Sequence, residues 1–168
     1  PGGAIMPVFD ALYGYTRGEN KVFDHILVRH EQAAAHAAEG YARVSGRVGV
    51  CLVTSGPGAT NTLTGIADAM MDSTPIVVIA GQVSIGALGS DAFQEVDLVG
   101  VAQPICKWAY QIRKPEDISW AVSRAFYIAK SARLTKECTD TYMRMAAYKD
   151  YKGALLSALS RAKYAGDN

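Results

Sequence analysis

Two stretches of the chain, residues 48–54 (VGVCLVT) and 76–80 (IVVIA), are apolar without alternation. That is the pattern of strands buried on both faces of a parallel sheet. Between and around them the rhythm becomes helical. Residues 4–13 form a helix if Pro7 falls in its first turn. Residues 32–44 are alanine-rich and end near Gly46, which can close a helix in a left-handed cap. Residues 60–71 predict a helix, and residues 115–129 another, with Pro115 at its start and Glu116 and Asp117 where they suit the helix dipole. Residues 25–28 and 105–110 read as shorter strands. The loops fall at residues 55–59 and 81–89. Strand and helix in alternation predict an α/β fold: a doubly wound, mostly parallel sheet with helices on both faces.

The punctuation changes near Ser131. Fourteen of the sixteen glycines and all six prolines precede it, and the charge shifts from 10 basic and 12 acidic residues to 7 and 4. Residues 143–165 have apolar positions at helical spacing. Residues 131–168 are therefore expected to be a separate, helical tail on a body of residues 1–130. At a net charge of +1 the chain carries no field that would gather nucleic acid or an anionic membrane. No apolar run approaches the roughly 18 residues of a membrane span. Three scattered cysteines, Cys51, Cys106 and Cys138, exclude a closed disulfide framework and a CxxC metal site, and fit a reducing compartment. An opening of Pro-Gly-Gly, without Met and without a basic-then-apolar leader, points to a chain cut from something longer.

Three segments carry candidate chemistry. Arg29-His30-Glu31-Gln32 places Glu31 where a strand gives way to a helix, the edge at which α/β proteins bind ligands. A desolvated carboxylate there can hold a proton or a charged hydrogen bond, though it serves equally as a partner for the helix dipole. Thr54-Ser55-Gly56-Pro57-Gly58-Ala59-Thr60-Asn61 follows a buried strand and precedes a helix, so its glycines can bring backbone close to a ligand. It meets neither nucleotide fingerprint and can also be a plain tight turn. Gly81-Gln82-Val83 leads into the loop Asp91-Ala92-Phe93-Gln94-Glu95. There Phe93 either meets a ligand or a second subunit, or anchors its loop to the core. His25, His30 and His36 form no familiar ligand set, so no metal site is expected. Cys51 lies mid-strand and no GxSxG elbow occurs, so no nucleophile stands out.

Taken together and in this order, PGGA, RHEQ, TSGPGATN, GQV and DAFQE resemble the N-terminal pyrimidine-binding domain of acetohydroxyacid synthases (acetolactate synthases), over residues 1–130. The resemblance implies thiamine diphosphate as cofactor. Glu31 then matches the glutamate that hydrogen-bonds N1' of the aminopyrimidine and lets the cofactor generate its own base. Pro57 and Asn61 match positions lining the ring. Gln94 matches a side chain reaching the cofactor, and Glu31 and Gln94 are the catalytic candidates. Gly2 and Gly3 fall where backbone borders the reaction centre. Phe93 matches a residue shaping the acceptor pocket, and Lys107 a lysine near the substrate channel. Ser84 stands where many relatives have proline, at the mouth where herbicides bind.

The implied reaction joins two 2-ketoacids, pyruvate with pyruvate or 2-ketobutyrate, with loss of CO2, in branched-chain amino acid biosynthesis. It implies Mg2+ and FAD held mainly outside this chain, a homodimer through the pyrimidine domain, a regulatory small subunit and a cytoplasmic setting. The chain departs from the pattern in three ways. A preceding helix and first strand are missing, and so is a last strand after Ser131, where Ala132-Arg133-Leu134 replaces the family's Gly-Arg-Pro-Gly-Pro. Arg133 is the position that would answer to an FAD-contacting arginine. The later domains are also absent. Two functions from different classes follow: a fragment of the enzyme, inactive alone, or a non-catalytic binding module derived from it.

Overall fold

The computed structural model describes residues 1–131 and the two-residue strand Met145–Ala146. A 3-10 turn (Gly3–Ile5) leads into α1 (Met6–Thr16), with Pro7 in the first turn, where its missing N–H costs nothing. Then come α2 (Glu31–Ser45), β1 (Gly49–Val53), α3 (Pro57–Thr60), α4 (Leu63–Met71) and β2 (Ile76–Gln82). A 3-10 turn at Ile85–Ala87 precedes α5 (Leu98–Ala102), another at Gln103–Ile105 precedes α6 (Asp117–Lys130), and β3 is Met145–Ala146.

The sheet is parallel in the order β1-β2-β3. Gly49 to Val53 pair in step with Ile76 to Ala80, and Gly81 and Gln82 pair with Met145 and Ala146. Successive side chains of a strand face opposite ways, and two apolar clusters use the two faces. Val77 and Ile79 pack with Ile5, Val8 and Leu12 of the N-terminal segment and Ile118 and Val122 of α6. Cys51, Val53 and Ala80 pack with Ala38 of α2 and Leu98 of α5. Ile5, Ile79 and Ile118 are fully buried, each contributing about 1.5–3 kcal/mol of apolar burial. This is an α/β arrangement with helices against both faces of a small parallel sheet.

Several expectations are corrected. Residues 25–28 form no strand, with Ile26 and Leu27 80% and 67% exposed and no strand beside them among the described residues. Residues 105–110 are not a strand. Gln103–Ile105 is a 3-10 turn, and Trp108 and Tyr110 stack on each other, with Trp120 of α6 edge-on to both. Their apolar character serves ring packing rather than a ladder. The loop expected at residues 55–59 holds a short helix, α3, and the helix expected over residues 60–71 starts later, as α4 at Leu63, after a break at Asn61 and Thr62. The strand ending at residue 80 runs on to Gln82. In the expected helical tail, Met145–Ala146 is a strand instead; the rest of that expectation lies outside the described residues. Helix α2 meets its expectation, closing on Gly46 in the left-handed conformation at φ 68°.

Candidate active site

Because β1 and β2 are parallel and in step, the loops leaving Val53 and Gln82 emerge at the same edge. Ligands of open α/β sheets bind at such an edge. The start of α2 is held there too. His30 caps it, with Nδ1 accepting from the Gln32 N–H at 3.2 Å, and this presents Glu31 as the first helical residue.

The break between α3 and α4 is what brings Asn61 to Glu31. With Thr62 turned onto the Ala59 carbonyl (2.6 Å), the chain does not continue one smooth helix, and Asn61 Nδ2 donates to Glu31 Oε2 at 3.0 Å. That bond holds the Glu31 carboxyl below its ordinary 4.5, outweighing the rise that burial would cause. Glu31 is thus kept ionised as a partly buried acceptor. Its charge, after burial, also helps push the Cys51 thiol up to about 12.

Glycines crowd the same spot. A Cβ on Gly58 would lie 2.6 Å from Thr54 Cγ2 and 3.4 Å from Glu31 Oε1. A Cβ on Gly2 would lie 2.7 Å from the Thr54 side chain. Thr54 is therefore sandwiched between two bare backbones beside the carboxylate. Its Oγ1 is buried with no hydrogen-bond partner, a state that costs about 1–3 kcal/mol. Gly56, at φ 57°, meets the other loop: a Cβ there would come 2.6 Å from the Gln94 carbonyl oxygen. Gln94 itself has φ 58°, a left-handed conformation uncommon for a residue with a side chain. Backbone held off its usual basins in this way collects at functional sites.

Gln82 fastens residues 83–97 to this edge, and Glu95 folds that loop onto itself. Gln82, 2% exposed, donates from Nε2 to the Val96 carbonyl at 3.1 Å and accepts from the Val83 N–H at 2.9 Å. The Glu95 carboxylate accepts from Gly89 N–H at 2.6 Å and Ala92 N–H at 3.3 Å. Phe93 is 86% exposed on this loop, so it does not anchor the loop to the core.

The structure therefore draws Glu31, Asn61, Gly2 and Gly58 into one group through Thr54, and brings Gln94 to Gly56 beside it. Pro57 opens α3 and is exposed, Gly3 begins the N-terminal turn, and Ser84 is exposed just beyond β2. Lys107 is engaged elsewhere. Its Nζ donates to the Ser131 carbonyl at 2.7 Å and the Ala129 carbonyl at 3.5 Å, capping the end of α6. Thr54 and Gln82 received no role from sequence, though both stand inside the motifs: a polar residue ending a fully apolar strand was the available signal.

Residues 1–101 match the family described as thiamine pyrophosphate enzyme, N-terminal TPP binding domain. The chain belongs to that family. Within it, the chain is 59% identical over 133 residues to the acetolactate synthase large subunit of Cyanidium caldarium, covering 79% of this chain and 22% of that protein. It is 55% identical over the same length to that of Pyropia yezoensis, covering 79% and 22%, and 54% identical to the acetolactate synthase of Mycobacterium bovis, covering 79% and 21%. The chain thus spans about a fifth of the length of these relatives. The matched segment holds the whole Glu31 group. The site also fits the family's cofactor on its own terms: the ionised Glu31 carboxylate, steadied by Asn61, suits the donor edge of a nitrogen heterocycle. Among the described residues no helix is long and apolar enough to cross a membrane.

Proposed function

We propose that residues 1–130 are the pyrimidine-binding part of an acetolactate synthase catalytic subunit, whose parent enzyme condenses pyruvate with pyruvate or 2-ketobutyrate and releases CO2. The observation that carries this is the Glu31–Asn61 pair, an acceptor held ionised at the C-terminal edge of the sheet beside bare glycine backbone. Thiamine diphosphate, when bound, supplies the electron sink for decarboxylation and carbon–carbon bond formation. The chain's own residues do the rest. Glu31 accepts a hydrogen bond at the ring nitrogen, Asn61 fixes that carboxylate, and Pro57 and Asn61 line the ring. Gly2 and Gly3 border the reaction centre. Gln94 and Phe93, on the loop after β2, address the substrate side; Lys107, a channel lysine by resemblance, has its ammonium on the end of α6 in this chain.

On this reading Mg2+ and FAD are held mainly by parts of the parent enzyme outside this chain. The pyrimidine domain faces a second copy in a cytoplasmic homodimer that a regulatory small subunit can join. Residues 131–168 are a divergent tail on this pyrimidine-binding body. The isolated chain, given pyruvate, thiamine diphosphate, Mg2+ and FAD, is expected to make no acetolactate; product formation by it alone overturns the fragment reading. One observation favours the second reading, a non-catalytic binding module: Met145–Ala146, in the tail, adds a third strand to β2. A stable, cooperatively melting chain that binds no thiamine diphosphate in any assembly decides for that module.

A further inference from the structure

The seam between α2 and α4 carries an ion cluster the reaction does not use. His36 and Glu39 stand one turn apart on α2, and Asp68 reaches them from α4. His36 Nδ1 lies 3.4 Å from Glu39 Oε2 and 3.7 Å from Asp68 Oδ2, and the three donor atoms all fall within 4.8 Å of one another. Good hydrogen bonds to such nitrogens are about 2.7–3.2 Å. Donors sharing a tetrahedral metal at bond lengths of about 2.0–2.2 Å stand roughly 3.3–3.6 Å apart. Both measured separations lie nearer the second figure.

The charges are also out of balance. Arg43 places Nε and Nη2 on one oxygen of Glu39, at 3.2 and 2.6 Å, and turns the same Nη2 to Asp72. Glu39 Oε2 is left facing His36, with the Asp68 carboxylate within hydrogen-bonding reach. Glu39 is 4% exposed, so its second oxygen has little water to draw on. Three carboxylates with one guanidinium and one imidazole call for a further cation.

We propose that His36 Nδ1, Glu39 Oε2 and Asp68 Oδ2 form a site for one divalent first-row transition ion, with Zn2+ the best fit and a fourth position open to water. Two carboxylates neutralise the ion's charge, and the imidazole selects against Mg2+ and Ca2+, which take oxygen donors. Arg43, on the other oxygen of Glu39, orients that ligand from behind. The ion would clamp α2 to α4, the helices that begin at Glu31 and just after Asn61. The histidines alone predict no site, because the completing carboxylates come from a different pairing, one of them from a second helix. This proposal stands independently of the reaction proposed above.

The test is titration of the chelator-stripped 168-residue chain with Co2+, followed by its visible absorption, with Zn2+ as competitor. The expected result is one Co2+ per chain in a four-coordinate spectrum, displaced by Zn2+. His36→Ala and Asp68→Asn each weaken binding by about tenfold or more, and His25→Ala leaves it unchanged. Asp68 is half exposed, so its variant spares the core if His36→Ala fails to fold. Binding no tighter in the parent than in Asp68→Asn reduces the cluster to an ion-pair network and overturns the proposal.

Discussion

Replacing Gly58 with alanine probes the site's packing at its tightest point. The new methyl would sit 2.6 Å from Thr54 Cγ2, about 1 Å inside ordinary carbon–carbon contact. Thr54 has nowhere to retreat, because the Gly2 backbone closes its other side. Overpacking a rigid site of this kind costs about 1–3 kcal/mol, and for a chain of this size that lowers the melting temperature by about 3–10 °C. Thr54→Ser removes the opposing methyl and keeps the hydroxyl, so it isolates the clash. The double variant Gly58→Ala/Thr54→Ser should be more stable than the sum of the two single changes by about 1–2 kcal/mol. Melting all four proteins by circular dichroism completes the cycle. If Gly58→Ala melts with the parent, or the two changes simply add, then Thr54 is not pinned between Gly2 and Gly58 and the site has a different shape.

Other consequences follow from single contacts. Asn61→Ala removes the donor to Glu31, so the Glu31 titration midpoint, read by carboxyl NMR, should rise toward 4.5. The sign follows from linkage: a carboxyl whose folded midpoint is depressed stabilises the fold above its unfolded value, and that contribution is lost as pH falls through the folded midpoint. The parent should accordingly lose more stability than Asn61→Ala on acidification, and equal acid profiles would refute the pairing. Cys51, buried and with its thiol at about 12, should resist alkylation at pH 8 while Cys106, partly exposed, reacts. Here the folded value is raised above 9.0, so the contribution is complete below pH 9 and lost as pH rises toward 12. Lys107→Met uncaps α6 and should cost about 1 kcal/mol in denaturant unfolding; no change would show that the cap contributes nothing.

Both strands were legible as unbroken apolar runs, but only β2 is covered on both faces; β1 alternates, with Val50 40% exposed on its open face. Helix α2 was legible because its alanine-rich face ends in a glycine cap. What failed were elements whose form depends on a neighbour. Ile26 and Leu27 have strand-like side chains but no strand to pair with among the described residues. Trp108 and Tyr110 look like strand residues and instead stack as rings. Helix α5 was missed although Asp97, which caps it by accepting from Gly100 N–H at 3.1 Å, stood in plain view; five residues are too short a run for periodicity to register. The Glu31 group was legible as separate motifs. Its assembly was not, because the α3–α4 break that turns Asn61 onto Glu31 is a tertiary event.

The central claim is that the Glu31 group is the working pyrimidine site of an acetolactate synthase. It is tested most directly by transplanting the matched 133 residues into the acetolactate synthase large subunit of Cyanidium caldarium, with which they are 59% identical, and measuring acetolactate formed from pyruvate. The account predicts an active chimera whose product falls by about 100-fold or more with Glu31→Gln, as expected when an essential proton-handling group is removed. A chimera that folds and assembles but makes no acetolactate, or one indifferent to Glu31→Gln, contradicts it.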